Sequence, residues 1–322
     1  MRTFTSQLAP YMRGLIQEKQ TSGFSYVAHE YYFKQFDTFI MENEFDTGVL
    51  DRDLVAAWSN QRSTEGGNHR NSRVSKVRLL AKYMLSLGID AYIPKGIAST
   101  ACPVPYLPTA EERKAFFHVV DSWHPRNVLA QRFSCEYPVL FRLYYCCGLR
   151  LSEAIQLKRK DVNWETGRMY IRHSKGDKDR NIYAAADVLS LLRRYDEKMH
   201  ALIPHRVWFF PGRNVHRPFH KTSIDKKFQE FWSLTPYAVE KSKRPTVNSF
   251  RHCFVVDKIN EWAAQKQDVE NLMPYLSKYL GHSGVSQTYY YYHQFDAFTP
   301  AVRNYIEQCN SAVPEVFIHE EE

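Results

Sequence analysis

Residues 92–109, "YIPKGIASTACPVPYLPT", constrain the fold more than any other stretch of this chain. They hold four prolines (Pro94, Pro103, Pro105 and Pro108) together with Gly96, Ser99 and Thr100. Proline lacks an amide hydrogen and clashes with the preceding helical turn, so no long helix or internal strand runs through such a stretch. The chain is thereby divided into a front part, residues 1–92, a linker at 93–105, and a rear part, 106–322. With 322 residues, 44% of them hydrophobic, each part is long enough to close its own core.

The front part reads as all-helical. "SYVAHEYYFKQFDTFIMEN" carries Tyr32, Phe36, Phe39 and Ile40 at helical spacing behind Ser25, a candidate N-cap. "DRDLVAAWSNQR" is a shorter helix opened by Asp51. "NSRVSKVRLLAKYMLSLGI" sets Val74, Val77, Ala81 and Met84 on one stripe and ends near Gly88. The first half of this third helix is crowded with Arg70, Arg73, Lys76 and Arg78. Two readings fit that crowding: a solvated helix face, or a helix presented to a phosphate backbone.

The rear part is mostly helical with a small antiparallel sheet. Thr109 and Glu112 form a capping box at the head of "TAEERKAFFHVV". "YPVLFRLYYCCG" is an apolar helix closed by Gly148. Short β segments follow in "DVNW", "RMYIRHS" and "RNIYA", with turns at "ETG" and "KGDK". The remainder is helical.

A formal net charge of +8 favours a polyanionic partner. No apolar run approaches the roughly 20 residues of a membrane span. The N-terminal "MRTFTSQLAP" has no apolar core of a secretory signal. The six cysteines show no CxxC pairing, which argues against a disulfide framework or zinc site and fits a reducing cytoplasm.

Four stretches offer chemistry. In "CCGLRLSEAIQL", Gly148 ends one helix and Ser152 can cap the next, so Arg150 is held in a tight junction suited to bidentate phosphate binding, with Glu153 placed to orient it. In "RHSKGDKDRNI", Gly176 and Asp177 form a hairpin turn and Lys175 enters it; such a lysine either reaches into a neighbouring groove or is solvated. In "RPTVNSFRHCFVV", a helix starts near Asn248 or Ser249, and Asn248 and Arg251 share a face in its first turn, where free N–H groups favour an anion. Phe250 and Phe254 bury the opposite face. In "YLSKYLGHSGVSQTYYYYHQF", Gly281 ends a helix, His282 sits at the junction, and Ser283 can start another helix. At about 100° per residue from Val285, Tyr289 and Tyr292 point within about 40° of the core direction, while Tyr290 and Tyr291 point away from it. Helix phase leaves those two as candidate nucleophiles and does not separate them. No cluster of acidic residues stands at metal-site spacing, which disfavours a two-metal mechanism.

Taken in order, "GLRLSE", "SKGDKDR", a helix-start box ending in "RH", "LGHS" and a following tyrosine resemble the tyrosine recombinase (phage integrase) family, of the Xer or transposon-integrase type. The resemblance covers most of residues 105–300. It implies a two-domain architecture, mainly α with a small antiparallel sheet: a helical core-binding domain and an α/β catalytic domain. It also implies metal-independent DNA cleavage and rejoining through a 3′-phosphotyrosyl link, with no cofactor. The substrate is double-stranded DNA with specific recombination sites, bound by a synaptic tetramer. By the same resemblance Arg150 and Arg251 clamp the scissile phosphate, Lys175 protonates the leaving 5′ oxygen, His282 hydrogen-bonds the phosphate, and Glu153 is the acidic support. The family's tyrosine lies nine residues beyond the histidine, which selects Tyr291. Asn248 departs from the pattern, which has histidine there; asparagine donates a hydrogen bond but takes no proton at neutral pH. The expected role is integration, excision or transposition of a mobile element. The alternatives are Xer-like dimer resolution, type IB topoisomerase-like relaxation, and a cleavage-deficient DNA-binding accessory protein. The tail holds Val316, Phe317 and Ile318 ahead of acidic residues, either docked on a neighbouring protomer or frayed.

Overall fold

The computed structural model describes residues 3–63, 65–97, 105–127, 130–174, 178–239, 244–282, 284 and 286–288. The chain separates into two compact units, Met1–Pro103 and Val104–Glu322. It is mainly helical with one two-stranded antiparallel sheet among the described residues. No helix there is long and apolar enough to cross a membrane.

The first unit packs four helices: α1 (Ala9–Thr21), α2 (Val27–Glu42), α3 (Arg52–Ser59) and α4 (Gly67–Ser86). Each contributes an apolar stripe to one core, with Met12, Phe33, Phe36, Ile40, Trp58, Val77, Leu80 and Met84 buried. Trp58 takes the edges of Phe36 and Phe39 at ring-centroid distances of 5.0 and 5.2 Å. Asp51 caps α3 through a 2.8 Å bond from the Leu54 amide. At α2 the expectation of a Ser25 cap is corrected. The helix starts at Val27 behind Tyr26, which takes a left-handed φ of 50° and makes no side-chain cap. Its ring instead stacks on His29 at 3.8 Å.

Arg73 is not a phosphate contact. Its side chain is fully buried. It forks onto Glu65, Nε to Oε1 at 2.9 Å and Nη2 to Oε2 at 2.6 Å, and donates to the carbonyls of Trp58 and Asn60. Helix phase explains this: Arg73 lies on the same face as Val77, Leu80 and Met84, which is the core face. A buried guanidinium persists only where its donors are matched, and Glu65 with the two carbonyls at the end of α3 does that here. Arg70 and Arg78 are half-buried and direct Nε to the Ser59 and Pro94 carbonyls at 2.7 and 2.9 Å. Lys76 is also half-buried.

The second unit begins with α5 (Ala110–Asp121), whose Thr109–Glu112 capping box forms as the sequence predicts. α6 (Phe133–Cys147) ends at Gly148 in the left-handed region, φ 58°. A side chain at Gly148 would collide with the Phe254 ring, so glycine is required twice over. The five-residue α7 (Leu151–Ile155) follows, then β1 (Arg168–Ser174), β2 (Lys178–Tyr183), α8 (Ala186–Leu202), α9 (Lys221–Ser233), α10 (Val247–Ala264) and α11 (Val269–Leu280). Phe116 of α5 is the centre of an aromatic core, with Phe228, Phe250 and Phe141 at 4.8, 5.1 and 5.5 Å.

"DVNW" is not a strand. Residues 159–161 form a 3-10 turn, and only Val162 makes an isolated bridge, to Met169. Asn163 Oδ1 accepts from the amides of Glu165 and Thr166, which folds the chain into a turn at once. In the hairpin, Ile171 pairs with Arg180 and Ser174 with Lys178, with an irregularity between Ile171 and Ser174. One extra residue in β1 reverses the alternation, so Ser174 faces the same side as Arg180. That side carries the site.

Candidate active site

Three backbone junctions bring the polar residues together. The first is the α6–α7 turn. Arg150, rather than the expected Ser152, occupies the N-cap of α7, because the Glu153 carboxylate turns back to accept from the Arg150 amide at 2.8 Å. The second is the start of α10, which opens at Val247 with Thr246 and Ser249 exchanging capping hydrogen bonds. This places Arg251 one turn in, on the buried face, and Asn248 on the exposed one. The third is the end of α11, where Gly281 takes φ 67° and releases the carbonyls of Tyr279, Leu280 and Gly281 from the helix.

Guanidinium groups converge on those carbonyls. Arg150 Nη2 donates to Gly281 O at 2.8 Å, and its Nη1 to Glu153 Oε1 at 2.9 Å and Ser174 Oγ at 2.8 Å. Arg251 Nη1 donates to Gly148 O at 2.5 Å and its Nη2 to Leu280 O at 2.8 Å. Arg180 Nε donates to Tyr279 O at 2.7 Å. Its Nη1 and Nη2 fork onto the two Glu153 oxygens at 2.7 and 2.9 Å. Two guanidiniums, those of Arg150 and Arg180, thus hold one carboxylate, and with Arg251 bonded at the same helix end they leave an excess of positive charge. Burial pushes the Glu153 carboxyl up, but the Arg180 bonds and charge, with the Ser174 hydroxyl and Arg150 amide, bring it down to about 2.

His282 lies within this cationic cluster. Arg251 Nη2 is 3.1 Å from its Nε2, and Thr288 Oγ1 is 2.7 Å from its Nδ1. A guanidinium only donates, so Nε2 is the acceptor and Nδ1 carries the proton given to Thr288. Burial, then the charges of Arg251, Arg150 and Arg180, lower its pKa to about 4. A histidine whose folded pKa lies below its unfolded value contributes stability that is complete above about pH 6.5 and lost as pH falls toward 4. The urea-unfolding midpoint of the protein is therefore expected to fall across that window, and to fall less in His282→Gln. An equal fall in both would remove His282 as the titrating group.

The arrangement gathers the guanidinium groups of Arg150, Arg180 and Arg251 at one helix end, and clustered guanidinium N–H donors are the chemistry that binds an oxyanion and stabilises charge developing on it. The family model described as the phage integrase family matches residues 109–297, more than half of the chain.

The chain belongs to the phage integrase family.

It is a tyrosine site-specific recombinase by that membership. The Sinorhizobium fredii protein y4rB, named as an integrase/recombinase, is 27% identical over 305 residues, 90% of this chain and 93% of that one. The solved lambda integrase (75–356) dimer bound to a COC′ core site superposes with a TM-score of 0.64 at 14% identity, over 89% of this chain and 96% of that one. The Tn1549 transposon integrase in complex with transposon right end DNA gives 0.61 at 13% identity, over 95% and 100%. These two structures speak for the fold.

Of the residues named from the sequence of this recombinase, Arg150, Glu153, Arg251 and His282 come together. Asn248 stands in the first turn of α10 and takes no part in the hydrogen bonds above. Lys175, Tyr290 and Tyr291 lie outside the described residues, as do Gly176, Asp177, Ser283, Val285 and the tail with Val316, Phe317 and Ile318. Three members were not singled out from sequence. Ser174 and Arg180 join Glu153, and Thr288 holds His282. Strand alternation carried a signal for Arg180, which shares a face with the fully buried Ile182. Ser174 carried none, because its face depends on the irregularity in β1.

Proposed function

We propose that this recombinase cleaves and rejoins double-stranded DNA at specific sites through a 3′-phosphotyrosyl intermediate on Tyr291. The observation that carries the reading is the convergence of Arg150, Arg251 and a neutral His282 on the end of α11, a few residues ahead of the tyrosine run. Arg150 and Arg251 neutralise the two non-bridging oxygens of the scissile phosphate. His282 and Asn248 hydrogen-bond the same group. The Tyr291 oxygen attacks phosphorus as its own proton passes to solvent water, the P–O5′ bond breaks, and Lys175 gives its proton to the departing 5′ oxygen and is reprotonated from solvent. Attack by a 5′ hydroxyl from another strand reverses the step and releases Tyr291, with no net change in bond types and no need for ATP.

Lambda integrase has been solved as a tetramer bound to a Holliday junction, which supports a synaptic tetramer as this chain's working assembly. In the first unit, Arg70, Lys76 and Arg78 are the candidate backbone contacts once Arg73 is assigned to the core. The departure at Asn248 and the divergent front part favour service to a mobile element over dimer resolution.

The test is a nicked duplex carrying the recombination site, incubated in excess EDTA. A covalent protein–DNA adduct that resists denaturant is expected, because side-chain cations supply the charge stabilisation. Adduct only on addition of magnesium contradicts the metal-independent scheme. Binding with no adduct under any condition leaves the accessory-protein reading.

A further inference from the structure

Arg180 stands inside "SKGDKDR" without an assigned role, yet it makes four hydrogen bonds at the site where the Arg150 guanidinium makes three. We propose that Arg180 is a positioning residue that takes up the charge of Glu153 and so keeps the Arg150 guanidinium available to the scissile phosphate. The inference rests on the recombinase reading of this site.

Glu153 is almost fully buried, with a side-chain exposure of 1%. A buried carboxylate must be matched by cations with good geometry. Arg180 supplies both bonds of a fork, 2.7 and 2.9 Å, and is itself only 11% exposed. Arg150 meets the same carboxylate side-on through one nitrogen at 2.9 Å and is 20% exposed. Bidentate arginine–carboxylate pairing is stronger than a single bond. If Arg180 is removed, Arg150 becomes the remaining guanidinium bonded to Glu153 among the described residues. The fork then closes on Arg150 and withdraws its donors from the substrate side. Arg180 has a second effect through Nε. Its bond to Tyr279 O ties β2 to the end of α11, so the hairpin that leads from Lys175 and the turn that leads to His282 are pinned by one side chain.

The experiment compares wild type, Arg180→Met, Arg180→Lys and Arg180→Met combined with Glu153→Gln. It reads single-turnover cleavage of a nicked duplex, duplex affinity and melting temperature. Arg180→Met is expected to slow cleavage about 10²-fold, the scale of a catalytic group misplaced by about 1 Å, with affinity within about threefold of wild type. Removing the Glu153 charge as well should recover about tenfold of that loss, because no carboxylate then competes for Arg150. A residue that acts only on fold stability would show no such rescue. Arg180→Lys keeps the charge and loses the fork, and should be slowed about tenfold at wild-type melting temperature. The proposal is overturned if Arg180→Met cleaves within about threefold of wild type, or if the double variant is no faster than Arg180→Met at matched melting temperature. Should the methionine variants not fold, Arg180→Lys decides alone: slowed cleavage supports the proposal and wild-type cleavage overturns it. Absence of adduct in wild type is a separate outcome, against the recombinase reading itself.

Discussion

Tyr291→Phe is expected to abolish the covalent adduct on a nicked duplex, a loss of at least about 10⁴-fold in cleavage, while duplex affinity stays near wild type. In the proposed scheme the phenol oxygen is the atom that bonds phosphorus, and phenylalanine keeps the ring but offers nothing to attack with. A tyrosine is a poor nucleophile while its pKa stays near 10, so in the proposed scheme the cations of Arg150 and Arg251 matter as much as the oxygen itself. The arginines converge on residues 279–281, and the tyrosine run begins seven residues past His282. Tyr290→Phe serves as the control and should form adduct normally. Adduct from Tyr291→Phe together with its loss in Tyr290→Phe would overturn the assignment.

The second large effect is expected at Arg251. Arg251→Ala should slow single-turnover cleavage by about 10³-fold, the upper range for losing one preorganised donor to a developing oxyanion. It should also cost about 2 kcal/mol of stability, because the carbonyls of Gly148 and Leu280 lose a donor inside the fold. The two effects have one origin. The guanidinium proposed to clamp the phosphate also joins the C-terminus of α6 to that of α11 and fixes the neutral tautomer of His282. Arg251→Lys keeps the positive charge but presents no planar fork, so it should recover little of the cleavage rate. Cleavage by Arg251→Ala within about tenfold of wild type would remove Arg251 from the phosphate clamp.

The helices and their ends were legible in the sequence wherever a local rule governs them. Asp51, Thr109 with Glu112, Gly148 and Gly281 each act within a few residues, and each stands where capping chemistry places it. Arg150, Glu153, Arg251 and His282 were legible because each sits at such a junction. What was hidden depends on partners distant in sequence. Arg73 looked like one more surface cation in a basic run, and its helix phase with Val77, Leu80 and Met84 was the clue that outweighed its charge. Ser152 lost the N-cap of α7 to Arg150 because Glu153 reaches back to the Arg150 amide. "DVNW" alternates like a strand, but Asn163 closes a turn before a ladder can form. Arg180 and Ser174 meet Glu153 only after the hairpin, α7 and α11 have assembled. Two of those contacts span 27 and 21 residues, and no local pattern encodes them.

The end of α11 acts as a keystone. Tyr279, Leu280 and Gly281 each hand a main-chain oxygen to a different arginine, so the cations are aligned by backbone rather than by one another. Inserting or deleting a single residue in α11 would rotate those oxygens by about 100° and scatter all three guanidiniums, with every charged side chain still present. The length of α11 is therefore as much a part of the site as the arginines it aligns.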